Sequence, residues 1–325
     1  MLLAVRATDH AATVFGRDAI RRPVPGIWER TGPGDATIPP VIARRRQTTA
    51  DPAPIVAIRP RRGWVALNAR ELWAYRELLY FFVWRDVKVR YKQTVFGALW
   101  AIIQPFMLMV VFSLFLGRIS GIGPAGVPYP LFAFAGLVPW TLFSQSLIGA
   151  SDSLVGAANL IQKVYFPRML LPAAAIGSYL LDFVIAMAVL GLLMVYFGVT
   201  PTLTVLWVVP LTALALTTSM AVGIWLSAAN VRYRDVRYAV PFLAQLWLFA
   251  SPVAYSVEIV PPEWRGVYQL NPMSGVVEGF RWALLGQGTP PPVNAVILSG
   301  VVTAIVLVLG LAYFRRVERT FADVI

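Results

Sequence analysis

Four cations crowd one short stretch, Arg85, Lys88, Arg90 and Lys92, inside the segment LWAYRELLYFFVWRDVKVRYK. Lys and Arg this close together make charge-assisted hydrogen bonds to phosphate oxygens, and they equally anchor a helix to anionic headgroups. At helical spacing Arg85, Lys88 and Lys92 share one stripe, while Arg76, Asp86 and Arg90 form a second. One carboxylate, Asp182, stands inside a long uncharged run, where an unpaired charge costs about 2.5–3.5 kcal/mol. A proton relay needs several such groups, so bonds to neighbouring hydroxyls or amides, such as Ser178, are the expected fate of this one.

Catalysis has little to work with. The chain has no Cys and one His, His10, which excludes a thiol nucleophile, a disulfide framework and thiolate-bound zinc, and leaves no histidine-built metal centre. No G-x-x-x-x-G-K-[ST] loop cradles a nucleotide, and no D-x-D, H-E-x-x-H or G-x-S-x-G motif occurs. No metal or cofactor is expected on this chain. Its residues point to transport, with a membrane enzyme acting on a polyprenyl donor as the alternative from another class.

The elements that must position these side chains are membrane helices. Of 325 residues 58% are hydrophobic and 14% charged, with a mean hydropathy of +0.67, far from soluble-domain averages of roughly 45–50% and about 25%. The uncharged runs predict six spans, near residues 96–116, 130–150, 169–198, 203–229, 239–257 and 293–314. Pro105 predicts a kink in the first. Residues 70–93 read as an interfacial helix with Trp73, Tyr80, Phe81 and Trp84 at the acyl boundary. Residues 1–69, rich in Pro and Arg, read as a disordered tail.

The net charge of +12 is an asymmetry across a bilayer rather than a nucleic-acid footprint. Thirteen Lys and Arg fall in connections on one side against Arg118, Arg265 and Arg281 on the other, which predicts both termini in the cytoplasm. The long outer connection, residues 258–292, is too apolar in its middle for a free loop. It reads as two short helices, about 262–270 and 273–286, dipping back into the outer leaflet.

Five ordered blocks then carry a family likeness: RDVKVRYKQTVFGALWAIIQPFMLMVVFSLFLGRIS, FAGLVPWTLFSQSL, NLIQKVYFPRMLLP, VRYRDVRYAVPFLAQLWLFASPVAYS and LNPMSGVVEGFRWALLG. Over about residues 70–320 the chain resembles the permease subunit of ABC-2-type polysaccharide exporters, the O-antigen group above all, with teichoic-acid and capsule relatives. The fold this implies is an all-α polytopic domain over residues 94–320. The function it implies is export of an undecaprenyl-diphosphate-linked glycan across the inner membrane by a homodimer bound to two copies of an ABC ATPase, which would hold ATP and Mg. Export of a small amphiphile is the alternative within the transport class.

The resemblance also gives residues roles. The coupling helix that sits on the ATPase falls on about residues 152–166, with Asp152, Leu154, Asn159, Leu160, Ile161, Gln162, Lys163, Val164 and Phe166 as contacts and Pro167-Arg168 as the joint to the next span. Arg85, Lys88, Arg90 and Lys92 become candidates for the lipid pyrophosphate, although membrane anchoring explains them as well. Pyranose faces stack on flat rings, so Trp100, Phe106, Phe112, Phe132, Phe134, Trp140, Phe143, Trp247 and Tyr255 are channel-lining candidates. Trp264, Tyr268, Phe280, Arg281 and Trp282 are candidates for an outer gate, with an interfacial aromatic belt as the plainer role.

Overall fold

The computed structural model describes residues 73–92, 94, 97, 99–119, 126–286 and 292–318, all within the compact unit Trp64–Ile325. The tail expected over residues 1–69 lies outside them. Among the described residues every regular element is helical. In chain order the α-helices are α1 (Arg76–Lys92), α2 (Leu99–Phe112), α3 (Tyr129–Gly156), α4 (Ala158–Lys163), α5 (Leu170–Ser178), α6 (Leu180–Tyr196), α7 (Val208–Arg232), α8 (Val236–Phe249), α9 (Pro262–Gln269), α10 (Pro272–Leu285) and α11 (Val293–Glu318).

Five helical stretches are long and apolar enough to cross a membrane: Leu99–Ile119, Tyr129–Gly156, Leu170–Tyr196, Leu203–Arg232 and Val293–Glu318. The span expected near 239–257 is the exception. Its helix, α8, has 14 residues, a length of about 21 Å against a hydrocarbon core of about 30 Å. Proline explains the early stop. Pro252 has no N–H to give back to the preceding turn and disfavours helical backbone at Ser251, so the chain leaves the helix after Phe249 and turns through residues 250–256.

α3 is the central helix, with every residue from Leu131 to Trp140 buried. It packs chiefly on α7, and α7 in turn packs on α11. Small residues let these backbones approach, as membrane helix pairs require. A Cβ on Gly223 would lie 2.8 Å from the Ala150 Cβ, and one on Gly310 would lie 2.6 Å from the Ala221 carbonyl oxygen. Hydroxyls close the polar gaps, Thr218 and Thr303 meeting at 2.9 Å between α7 and α11.

Pro105 sits within α2 without ending it. The helix widens about two turns later, over Ser113–Ile119, where the Ser113 hydroxyl donates to the Met109 carbonyl at 2.6 Å. The third span is broken at Tyr179 into α5 and α6. At the entrance α1 turns Phe82 inward against Phe166, ring centroids 5.5 Å apart, and leaves Trp73, Tyr80, Phe81 and Trp84 exposed. The four exposed rings are those assigned to the acyl boundary, and Phe82 is the pin that the mixed periodicity hides.

Candidate functional site

Three places gather the candidate residues, beginning with the α4 end of the bundle. The helix expected over residues 152–166 is instead three pieces: the last turn of α3, the short α4, and extended backbone ahead of Pro167. Nothing breaks α3 before Gly156, and Ser151 and Ser153 return their hydroxyls to Ile148 and Ala150 carbonyls at 2.7 Å. Leu154 and Phe166 are buried in a cluster with Phe82, Leu170, Ile224 and Phe314, and Leu160 and Ile161 pack against it. Four of the residues expected to contact a partner are therefore spent largely on the chain's own core. Asp152 accepts from the Asn230 amide at 3.2 Å and faces Arg237 at 3.3 Å. Arg168 donates to the Glu318 carbonyl.

The surface left open is Asn159, Gln162, Lys163, Val164 and Tyr165. Tyr165 is 87% exposed, a large ring with no core to serve, and it stands outside the coupling set drawn from the sequence. The signal was present. The residue before a proline favours extended backbone, in which side chains alternate, so a buried Phe166 sends Tyr165 outward.

The second place is the junction of α1, α2, α3 and α6. Arg90 reaches Asp182 across 92 residues of sequence, Nη1 to Oδ2 at 2.8 Å, and gives Nη2 to the Ser178 hydroxyl at 2.8 Å. Its guanidinium lies 3.7 Å from the Tyr179 ring centre. The Tyr91 hydroxyl donates to the other Asp182 oxygen. Asp182 is thus held by a cation and a phenol rather than by Ser178, whose hydroxyl accepts from Arg90 and donates to the Ala175 carbonyl. A carboxylate in a span is best neutralised by a cation, and that cation comes from an element no local pattern connects to it. Arg90 is thereby separated from its three neighbours. Arg85 pairs with Asp86 at 2.8 Å, Lys88 lies over Trp84 at 5.3 Å, and Lys92 is exposed.

The pair borders a cavity of about 210 Å³, whose lining includes Tyr91, Trp100, Gln104 and Gln145. Of the rings put forward as channel lining, Trp100 and Phe106 are exposed. Phe112, Phe134, Trp140 and Phe143 are buried in the main core, and Phe132 is buried beneath the Arg281 guanidinium, 3.6 Å from its ring centre.

The third place is the opposite end, where α10 and the turn 250–256 meet the start of α3. Arg281 is buried, 6% exposed, and binds only carbonyls: Nη1 to Pro252 at 2.6 Å and Tyr255 at 3.2 Å, Nη2 to Val253 at 2.5 Å, Nε to Phe132 at 3.3 Å. Burial draws its pKa down to about 9, with Glu278 opposing the shift, so the guanidinium is charged at neutral pH. Phe280 is fully buried against Phe183, and Trp282 packs on Trp207. Trp264 is exposed. The Tyr268 and Tyr255 hydroxyls meet at 2.6 Å, and Tyr255 also donates to the Phe249 carbonyl.

Asn271 belongs with this group and was visible only as the dipeptide Asn-Pro that opens a helix. Its Oδ1 accepts from Met273 N at 3.1 Å and from the Trp247 indole at 3.0 Å, and its Nδ2 donates to the Ala250 carbonyl and the Ser251 hydroxyl. Together Arg281 and Asn271 fasten α10 to the non-helical end of α8. Among the described residues no three of His, Cys, Asp and Glu gather to hold a metal.

The profile of the ABC-2 type transporter family matches residues 77–285, a range that contains all three places. The chain is similar to the O-antigen export system permease protein RfbA of Myxococcus xanthus, 30% identical over 257 residues that cover 78% of this chain and 97% of the relative. It is 26% identical to the protein of the same name from Klebsiella pneumoniae, over 77% of this chain and 95% of the relative. The polysialic acid transport protein KpsM of Escherichia coli is 26% identical, over 72% and 91% respectively.

Proposed function

This chain belongs to the ABC-2 type transporter family, and on that premise we propose that it is the membrane subunit of an ATP-driven exporter of a lipid-linked polysaccharide of the O-antigen kind. Two copies of the chain enclose the path and two copies of a separate ABC ATPase drive it. The cargo is a glycan on undecaprenyl diphosphate, moved outward across the inner membrane, with both termini of the chain in the cytoplasm, a topology in which α8 and the turn after it together make the sixth crossing. ATP and Mg act on the ATPase.

The observation that carries this reading is the near end-to-end match to the two O-antigen export permeases, 97% and 95% of their lengths. The chain's own surfaces fit the roles. Asn159, Gln162, Lys163, Val164 and Tyr165 form the ATPase contact, a polar rim around one aromatic of the kind that protein interfaces favour. Lys88 and Lys92, on the exposed side of α1, meet the diphosphate at the headgroup level. Trp100 and Phe106 are the lining rings available to a passing sugar. The α9–α10 pair dips into the outer leaflet and forms the exit gate, with Trp264 as its exposed ring and Arg281 as the pin behind it.

Deleting the gene in its host and blotting for surface polysaccharide tests the reading. The polymer is expected to be made but to stay on the cytoplasmic side, and the wild-type gene restores it at the surface. Undiminished surface polymer in the deletion strain overturns the proposal.

A further inference from the structure

The cavity at the junction of α1, α2, α3 and α6 has a chemistry the pyrophosphate assignment of Arg90 does not fit. We propose that it is a subsite for one uncharged pyranose ring of the cargo, a refinement that rests on the export reading above. A phosphate calls for a guanidinium whose charge is uncompensated. Arg90 instead gives Nη1 to the Asp182 carboxylate, Nη2 to the Ser178 hydroxyl and one face to the Tyr179 ring, although part of its five-donor fork stays open. Arg90 and Asp182 cancel, so the cavity carries no net charge to attract an anion.

What the lining does offer is a set of neutral donors and acceptors beside a flat ring. The Gln104 and Gln145 amides touch only at 3.5 Å, and each amide has two donor hydrogens and an oxygen with two lone pairs. Both residues line the cavity. Asp182 uses one oxygen for Arg90 and the other for Tyr91, and each oxygen retains a lone pair for a hydroxyl. Trp100, 55% exposed, supplies the wall on which the CH face of a pyranose stacks. Pro105, which also borders the cavity, has no N–H, so the Ala101 carbonyl beside it lacks its usual helical donor.

Size and depth agree with a single ring. The volume of about 210 Å³ holds roughly seven waters at about 30 Å³ each. That is room for one six-membered ring with its hydroxyls and too little for a chain. From Tyr196, the far end of α6, Asp182 lies 14 residues away, or about 21 Å at 1.5 Å per residue. Against a hydrocarbon core of about 30 Å, this puts the cavity on the proposed topology in the inner half of the membrane, on the side from which the cargo enters.

The test uses a unique thiol. With no native cysteine, Thr141→Cys, which borders the cavity and has no part in the proposed sugar contacts, in the full-length permease in lipid nanodiscs reports the cavity through its rate of reaction with a small neutral maleimide. The probes are farnesyl diphosphate bearing one N-acetylglucosamine and farnesyl diphosphate alone. At about ten times its Kd the sugar-bearing probe is expected to slow labelling about tenfold, the sugarless one to leave it unchanged, and Trp100→Ala to weaken the protection. Equal slowing by both probes identifies a diphosphate site and overturns the proposal, as does no slowing by either. Ala101→Cys, which also borders the cavity, repeats the measurement should Thr141→Cys fail to reach the membrane. The export reading is judged separately by the surface-polysaccharide blot. Lost surface polymer with an unprotected thiol removes the subsite alone, and intact surface polymer in the deletion strain removes the export reading whatever the thiol reports.

Discussion

At the scale of single residues, two arginines carry most of the argument, and both are engaged within the chain. Arg281 satisfies four carbonyls between α10, the 250–256 turn and α3 with one rigid fork, a geometry a lysine ammonium cannot copy. Arg281→Met leaves these buried carbonyls unsatisfied at about 1–3 kcal/mol each before relaxation. The variant is expected to lower the melting temperature of the purified permease clearly, with Arg281→Lys in between, by intrinsic fluorescence on heating. Arg90 and Asp182 behave as a pair. Side-chain exposures of 29% and 21% place the pair between surface and core, so removing one partner is expected to cost about 1–3 kcal/mol. A double-mutant cycle of Arg90→Met and Asp182→Leu reads this coupling, and the double variant is expected to be more stable than the sum of the two single losses predicts.

Helices and their ends decide what the coupling surface can be. Leu154 has no exposure, so Leu154→Asp is expected to prevent membrane accumulation, by about 3 kcal/mol or more for an uncompensated buried charge. Tyr165→Ala is different. That side chain touches solvent, so the variant is expected to keep its expression and melting temperature while cargo-stimulated ATP hydrolysis by the assembled exporter falls severalfold. The same logic separates glycines. Gly223→Leu drives a side chain into Ala150 across the α3–α7 contact and is expected to abolish folding, measured as detergent-soluble monodisperse protein. Gly156→Ala meets nothing within 4 Å and is expected to be silent.

For the whole molecule the claim is one of sidedness. If Gln162 at the α4 end is cytoplasmic and Glu263 on α9 is periplasmic, Glu263→Cys is expected to react with a membrane-impermeant maleimide in intact spheroplasts, and Gln162→Cys only after permeabilisation. Reversal of the pair overturns the topology. The cysteine-free sequence makes each label unambiguous without further substitution.

How much of this was legible beforehand follows from the range over which each force acts. Hydrophobicity summed over some twenty residues is a local property, so the chain by itself determined its helical class, five of the six spans expected, the exposed aromatics of α1 and two short helices after α8. Contacts between distant elements were not legible, because the period of one helix gives the face that is buried and not what covers it. The Arg90–Asp182 pair joins elements 92 residues apart, and Arg281 reaches Phe132 across 149. The same blindness made Phe132, Phe134 and Phe143 look available to a cargo, when only the packed bundle reveals that they are its own interior.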